Sequence, residues 1–353
     1  MKPARPTVAD LAAYDEIIDV RSPAEYAEDH IPGAISCPVL DDAQRAEVGT
    51  LYKQVSPFEA KKLGAALISI NIARHLQERF LDRPKTWKPL IYCWRGGDRS
   101  GAMTTIFRAI GWQAGQLDGG YKAFRRHVID RLAELPGRFR FNVIAGPTGS
   151  AKTRILQAVG ERGEQVLDLE GLACHKGSVL GVLPDRPQPS QKAFETALWQ
   201  ALEAFDPERP VHVEAESRKI GNLHLPEAVI ERIRSGSCLR VEAGLDARVA
   251  FLLDDYAYFF PRPDLLCQRL DALRALVGRE TLQRWHDLVA AADWPTLVRE
   301  LLEQHYDPQY RRSQHSNFSG MAAPLDFATD DLSTAGIGRV ADAIVQSRTA
   351  QIA

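Results

Sequence analysis

Sulfur is scarce in this chain. Its 353 residues include five cysteines, at positions 37, 93, 174, 238 and 267, and three methionines. The cysteines are odd in number, scattered and free of any C-x-x-C pair, which argues against a disulfide framework or a structural zinc site and for a reducing compartment. Long apolar runs are missing too, so no bilayer-spanning segment and no membrane partner are expected. The opening residues, Met1-Lys2-Pro3-Ala4-Arg5-Pro6, lack the apolar core of a secretory signal, and a cytoplasmic location is the expectation. No repeat and no low-complexity stretch stands out. A net charge of −2 does not advertise a nucleic-acid binder. Basic clusters exist at Arg125-Arg126, Arg138 with Arg140, Arg218-Lys219 and Arg311-Arg312, but each is also what an ordinary solvated face looks like. Composition leaves a polyanionic partner open.

What is present is a globular composition, 45% hydrophobic and 25% charged, in a chain long enough for about two domains. In the first half, 16–20 and 89–92 read as strands. Ser22-Pro23-Ala24-Glu25 opens a helix with a serine cap and proline at its first position, and 57–80 reads as a long helix. A strand at 116–120 ends in a turn, a helix covers 121–135, and Pro136-Gly137 marks the boundary. The second half restarts with a strand at 141–145, a glycine-bearing loop and a helix from 154 to 159. Segments 166–170 and 211–216 read as strands that end in carboxylates, and about 245–320 is mainly helical. Strands alternating with helices imply parallel sheets covered on both faces, so the fold class is α/β in two domains, 1–135 and 138–353. The aromatic run Tyr256-Ala257-Tyr258-Phe259-Phe260 reads first as core packing.

Two loops carry chemistry. The first follows the strand Pro89-Leu90-Ile91-Tyr92 and runs Cys93-Trp94-Arg95-Gly96-Gly97-Asp98-Arg99-Ser100 into a helix. Glycines let successive amides point to one place, and the helix N-terminus adds partial positive charge there. A thiol at that focus is expected to ionise more readily than a free one, and the same cradle would hold an oxyanion attached to the sulfur. The spacing C-x-x-G-x-x-R-S also fits a cysteine-dependent phosphatase, whose arginine grips phosphate while the thiolate attacks phosphorus. Asp98 or Asp118 would then serve as the general acid.

The second loop is Gly146-Pro147-Thr148-Gly149-Ser150-Ala151-Lys152-Thr153, close to the G-x-x-x-x-G-K-[ST] pattern that cradles a diphosphate with amides, a lysine and a hydroxyl on magnesium. Ala151 stands where that pattern has its last glycine, which is tolerable if its φ is negative. Asp168, Glu170, Glu214 and Glu216 are candidates for a second metal carboxylate; each could equally be a surface or salt-bridging residue. A diphosphate ester, a nucleotide such as ATP and a nucleic-acid backbone present the same oxygens, and the sequence does not choose among them.

The wider context resembles two known arrangements. Ile18-Asp19-Val20-Arg21-Ser22-Pro23-Ala24-Glu25-Tyr26, then His30-Ile31-Pro32-Gly33-Ala34, and later Leu117-Asp118-Gly119-Gly120-Tyr121, resemble the opening and closing signatures of rhodanese domains. The cysteine loop is one residue longer than the C-x-x-G-x-R-S of small rhodaneses, which leaves room for a bulkier group. Adding the phosphate loop, Ser56-Pro57-Phe58-Glu59, His175-Lys176-Gly177-Ser178, Gln188-Pro189-Ser190-Gln191, Glu214-Ala215-Glu216-Ser217-Arg218-Lys219 and Asp307-Pro308-Gln309-Tyr310, the chain resembles the bacterial tRNA 2-selenouridine synthases over nearly its whole length. The fold so implied is an N-terminal rhodanese-like parallel-sheet domain followed by a P-loop NTPase-like α/β domain with a mainly helical segment.

The resemblance implies replacement of the sulfur of wobble 2-thiouridine in tRNA by selenium, through an S-geranyl-2-thiouridine intermediate, with selenophosphate and geranyl diphosphate as substrates. It also implies a selenophosphate-producing enzyme as a partner. Cys93 is then the nucleophile, carrying selenium or accepting phosphate, with Arg95, Gly96, Gly97, Arg99 and Ser100 around the donor's phosphate. Gly64 matches a family glycine, and helix packing is its other reading. Gly146, Gly149, Ser150, Lys152 and Thr153 would hold a diphosphate with Mg²⁺, residues 256–260 are a candidate wall for the ten-carbon chain, and Arg218, Lys219, Arg311 and Arg312 are candidate tRNA contacts. The alternative is a cysteine-dependent phosphatase or sulfurtransferase fused to a nucleotide-binding domain.

Overall fold

The computed structural model describes residues 5–352, apart from the side chains of 311, 313–316 and 348–352. Two compact units divide between Arg131 and Leu132. No helix is long and apolar enough to cross a membrane among the described residues.

The first unit is built on four parallel strands, β1 (Glu16–Asp19), β2 (Ile35–Ser36), β3 (Pro89–Tyr92) and β4 (Gly115–Gln116), in the order β2-β1-β3-β4. All four residues of β3 are buried, as expected of a central strand covered on both faces. Helices α1 (Pro23–Glu28), α2 (Asp42–Gln54), α3 (Pro57–His75), α4 (Asp98–Ile110) and α5 (Gly120–Glu134) connect or close them. Local chemistry starts these helices where the sequence says it should. Pro23 and Pro57 take first positions, the Ser22 amide donates to Glu25, and the Ser56 hydroxyl accepts the Phe58 and Glu59 amides. A π-helical turn extends α3 to Phe80, whose ring joins Trp87, Phe107 and Trp112 in the core.

Beneath the cysteine strand lies a wholly buried ionic network. Arg21 and Asp19 pair at 2.6 Å with no exposure of either. The Tyr92 hydroxyl donates to Asp19 at 2.7 Å, and Arg21 donates to the Asp29 carbonyl while lying 3.9 Å from the Tyr121 ring centre. The Tyr121 hydroxyl donates to the Asp29 carboxylate at 2.7 Å. The network therefore ties β1, β3, α5 and the loop after α1 together.

The second unit carries a five-stranded parallel sheet. Its strands are β5 (Phe141–Ala145), β6 (Gln165–Leu167), β7 (Val211–Glu214), β10 (Ser237–Glu242) and β11 (Leu325–Ala328), in the order β11-β10-β5-β7-β6, with β8 (Lys219–Ile220) and β9 (Leu223–His224) as a small hairpin. Around the sheet lie α6 (Lys152–Glu161), α7 (Leu169–Ala173), α8 (Gln191–Glu203), α9 (Glu227–Arg234) and α16 (Thr334–Ile352). Between β10 and β11 the chain is helical, with α10 (Leu245–Asp255), α11 (Pro263–Asp271), α12 (Arg274–Val277), α13 (Arg279–Ala290), α14 (Trp294–Leu301) and α15 (Asp307–Asn317). That segment has its own core around Trp285. Three strands end at least two residues earlier than the sequence suggests: β4 ends at Gln116, β7 at Glu214 and β6 at Leu167. The segment 166–170 leaves the sheet after Leu167, because the Asp168 side chain accepts the Gly171 amide at 2.7 Å and caps α7, so Glu170 sits on a helix.

Removing one partner of a buried ion pair leaves the other charge uncompensated, at a cost of about 3 kcal/mol or more. Asp19→Ala is therefore expected to reduce hydrogen-exchange protection of β1 and β3 amides by about 100-fold. Unchanged protection would show that the network contributes little.

Candidate functional site

Cys93 directly follows β3 and is 3% exposed, yet its sulfur meets polar groups. The Gly97 amide donates to Sγ at 3.3 Å and the Ser100 hydroxyl at 3.2 Å. Gln116 braces the loop from β4 by donating to the Gly96 and Gly97 carbonyls and to Ser100 Oγ, at 2.9–3.0 Å. Gly120 is the close approach that makes this possible: its φ is +57°, and a Cβ there would lie 2.3 Å from the Cys93 carbonyl oxygen and 2.6 Å from the Gly96 amide nitrogen.

The arginines of this loop are not equivalent. Arg95 is exposed, whereas Arg99 donates to both carboxylate oxygens of Glu25, at 2.7 and 3.4 Å. Burial pushes the Glu25 carboxyl up, but the bond to Arg99 and its charge outweigh that and hold it below its ordinary value. Arg99 thus already has a carboxylate partner from the Ser-Pro-Ala-Glu motif, and the cradle made by Gly97 and Ser100 is the part aimed at sulfur. Asp98 and Asp118 are exposed. Gly64 lies buried on α3, where a Cβ would stand 3.4 Å from Val48 of α2; its surroundings are a helix contact.

The phosphate loop joins β5 to α6 at the carboxyl edge of the sheet, where open α/β sheets bind ligands. Helix α6 begins at Lys152, two residues before the expected start. Ala151 precedes it with φ +59°, so the condition set by its sequence, a negative φ, is not met; the loop takes the glycine conformation with an alanine. Lys152 Nζ donates to the Gly146 and Pro147 carbonyls at 2.9 and 3.2 Å, and the Ser150 hydroxyl donates to the Pro147 carbonyl.

Thr153 connects the loop to carboxylates. Its hydroxyl lies 2.9 Å from Glu170 and 3.3 Å from Glu214, and ligand oxygens of Glu170, Glu214 and Glu216 all fall within 4.8 Å of one another. Burial, then the Glu216 charge, pushes Glu170 up to about 8. Burial and the charges of Glu170 and Glu216 push Glu214 well up, and burial pushes Glu216 up against the pull of Lys152. These three are therefore neither surface nor salt-bridging residues. Asp168 is corrected: it lines the same cavity, but its side chain caps α7 and stands outside the cluster. Gly177 covers the cluster from the His175–Ser178 loop. With φ +66°, its missing Cβ would lie 2.7 Å from Glu170 and 2.8 Å from Glu216.

A cavity of about 580 Å³ joins Gly146, Gly149, Lys152, Thr153, Glu170 and Glu216. An apolar slot shares Thr148, Ser178, Leu252, Tyr256 and Tyr306 with that cavity and continues along Phe259, Phe260, Trp294, Leu297 and Leu301. Of the 256–260 run, Tyr256, Phe259 and Phe260 line the slot, while Phe259 is also core and Tyr258 packs against that core. Sequence reasoning missed Arg248, on α10, which donates to the Thr148 carbonyl at 3.1 Å and to both oxygens of Asp307 at 2.7 and 2.8 Å. It also missed Lys176, paired with Asp255 at 2.6 Å and 4.5 Å from the Tyr256 ring centre. Nothing local marked Arg248; Lys176 and Asp307 stood in quoted motifs without a role. Of the basic candidates, Arg218 is exposed and paired with Glu227, Lys219 and Arg312 are exposed, and the side chain of Arg311 lies outside the described residues.

Comparison with known proteins separates the same two parts. Residues 7–127 match the rhodanese-like domain family and residues 139–262 the tRNA 2-selenouridine synthase AAA domain. A protein of Alcanivorax borkumensis named tRNA 2-selenouridine synthase is 34% identical over 346 residues, 88% of this chain and 93% of its own length. One of the same name from Marinobacter nauticus is 31% identical over 83% of this chain and 87% of its own. Another, from Nitrosomonas europaea, is 36% identical over 69% of this chain, a match spanning 64% of that protein's length.

A left-handed alanine costs about 1 kcal/mol more than a left-handed glycine, partly offset by glycine's greater freedom in the unfolded chain. Ala151→Gly is expected to raise the melting temperature of the second unit by about 2 °C. A lower melting temperature would contradict the positive φ at this position.

Proposed function

Because this chain belongs to the tRNA 2-selenouridine synthase family, we propose that it modifies the wobble uridine of tRNA, exchanging the sulfur of 2-thiouridine for selenium. The route has two steps. Alkylation by geranyl diphosphate first turns the nucleoside sulfur into a thiol leaving group, with diphosphate released. The selenium of selenophosphate then attacks C2 of the uracil ring and the geranyl thiol departs, and cleavage of the remaining P–Se bond releases phosphate and 2-selenouridine.

The observation that carries this reading is the apolar slot that shares its mouth residues with the phosphate-loop cavity. A polar head next to a hydrocarbon channel suits a prenyl diphosphate better than a nucleotide, whose base and ribose need polar partners. Lys152 and the loop amides bind the diphosphate in this scheme. The Lys152 ammonium now rests on loop carbonyls, from which it is free to turn to phosphate oxygens. Thr153 and a neighbouring carboxylate suit Mg²⁺, which when bound offsets negative charge on the departing diphosphate. The aromatic face of Tyr256, which lines both cavity and slot and is already close to the Lys176 cation, suits the positive charge that develops on an allylic carbon.

Cys93 serves the selenium step. Its sulfur sits under the Gly97 amide and Ser100 hydroxyl, donors suited to an oxyanion or a thiolate. One role balances: the thiolate attacks phosphorus of a selenophosphorylated nucleoside, the P–Se bond breaks to free the selenouridine, and water hydrolyses the resulting thiophosphate. The alternative, in which Cys93 carries selenium, would need a two-electron oxidant to form its S–Se bond. Arg95 and Arg99 are then donors to the phosphate, Arg99 after exchange of its Glu25 partner. Exposed Arg218, Lys219 and Arg312 are offered as tRNA phosphate contacts, to be judged by the salt dependence of tRNA binding.

Nucleoside mass analysis of 2-thiouridine tRNA incubated with enzyme, geranyl diphosphate and selenophosphate tests the reading. Cys93→Ser is expected to abolish 2-selenouridine while geranylated nucleoside still forms; undiminished selenouridine would remove Cys93 from the mechanism. Lys152→Ala is expected to lower geranylation at least about 100-fold while selenation of pre-geranylated tRNA stays near the native rate. Equal loss of both steps would move the phosphate loop from prenyl donor to tRNA docking. Phosphate release without tRNA would favour the phosphatase alternative.

A further inference from the structure

The carboxylate cluster gathers more acid groups than its surroundings can partner. Glu170 comes from α7, Glu214 ends β7 and Glu216 lies just after it, and ligand oxygens of the three acids fall within 4.8 Å of one another. Lys152 is the cation that opposes them, and its ammonium is bonded to the Gly146 and Pro147 carbonyls. Glu214 is wholly buried, and its Oε1 has no hydrogen-bond partner among the described residues. Its other oxygen receives only the Thr153 hydroxyl, at 3.3 Å. A buried carboxylate oxygen without a donor is costly unless a cation completes it. Three carboxylates and a hydroxyl form an all-oxygen set, which suits Mg²⁺, Mn²⁺ or Ca²⁺ and not the softer zinc or copper ions. The Gly177 backbone closes the cluster where any side chain would displace Glu170 and Glu216.

In phosphate-loop proteins the ion is generally held through the ligand's phosphates, with the protein adding a hydroxyl and one carboxylate. Here the protein alone supplies four oxygen donors. We propose that Glu170, Glu214, Glu216 and Thr153 form a resident divalent-cation site that fills in the absence of any phosphate ligand. The cation is then in place before a diphosphate arrives and makes an otherwise acidic cavity hospitable to an anion. The inference deepens the reading of this cavity given above, but it does not need a diphosphate to hold.

The test uses the full chain, stripped with EDTA, desalted and titrated with Mn²⁺ in phosphate-free buffer, with free Mn²⁺ read by electron paramagnetic resonance. One Mn²⁺ per chain is expected, saturating below about 1 mM and displaced by Mg²⁺. Glu214→Gln is expected to weaken it at least about tenfold. In EDTA that variant should melt no lower than the native protein, because without a cation the buried carboxyl has no advantage over a neutral amide of the same shape. Should it fail to fold, Glu170→Gln is expected to give the same loss of Mn²⁺. Absence of saturable binding by the native chain, or binding unchanged in a folded glutamine variant, would overturn the proposal. Geranyl diphosphate binding, measured by calorimetry on the same samples, separates the two readings. Mn²⁺ bound without affinity for geranyl diphosphate supports this site and removes only the prenyl reading; geranyl diphosphate bound with no Mn²⁺ site does the reverse.

Discussion

The second unit is arranged around three acids that repel one another and yet are kept together. Glu214 ends a central strand, Glu216 follows it by two residues, and Glu170 is carried to them by a helix that Asp168 caps. Like charges at this distance, out of water, are tolerated only when protons, a lysine or a cation divide the burden. The features nearby answer to that requirement. Thr153 offers a hydroxyl, Lys152 an ammonium, and Gly177 a backbone without a side chain where the carboxylates need room. Moving any one of the three acids to the surface would relax the cluster and also dissolve the site.

The two units solve the same problem with different atoms. Each takes a buried parallel strand, turns sharply at its carboxyl end, and starts a helix so that amides converge on one reactive centre. In the first unit the turn encloses a sulfur that belongs to the chain, and the donors on it are Gly97 and Ser100. In the second the turn surrounds a space lined by Lys152 and Thr153, left for a ligand. That difference explains why the cysteine loop is braced from within by Gln116, while the phosphate loop is braced from outside by Arg248. A fixed sulfur needs a fixed cradle; a loop that exchanges ligands gains from a partner on a neighbouring helix.

Much of this was legible in the residues. Strand-loop-helix order placed both loops between the right strands and helices, with the start of α6 misjudged by two residues, because glycine, proline and capping serine act locally and leave local marks, as at Ser22-Pro23 and Ser56-Pro57. The carboxylates were legible as a set but not as a cluster. Asp168 and Glu170 are two residues apart and look alike in sequence, yet one caps a helix while the other faces Thr153; only the tertiary register of β7 against β6 separates them. Arg99 was readable as a phosphate ligand, and its engagement with Glu25, 74 residues away, was not. Arg248 left no mark at all, since a charge on an amphipathic helix ordinarily faces water.

Arg248 also bears on why alanine can stand at position 151. The guanidinium holds the Thr148 carbonyl on one side and Asp307 on the other, 7% exposed, so the loop is gripped by the helical segment that also walls the apolar slot. A backbone fixed in this way keeps the left-handed turn at 151 without glycine's permissiveness, the cost being met by contacts elsewhere in the unit. It follows that the helical segment is not an appendage to the phosphate-binding sheet. Tyr256 and Tyr306 reach the cavity from the same helices that Arg248 and Asp307 anchor, so the grip on the loop and the shape of the slot are set by one packing arrangement. A substitution that loosens Arg248 therefore disturbs the polar and the apolar halves of the site together, and the two halves act as a single binding surface.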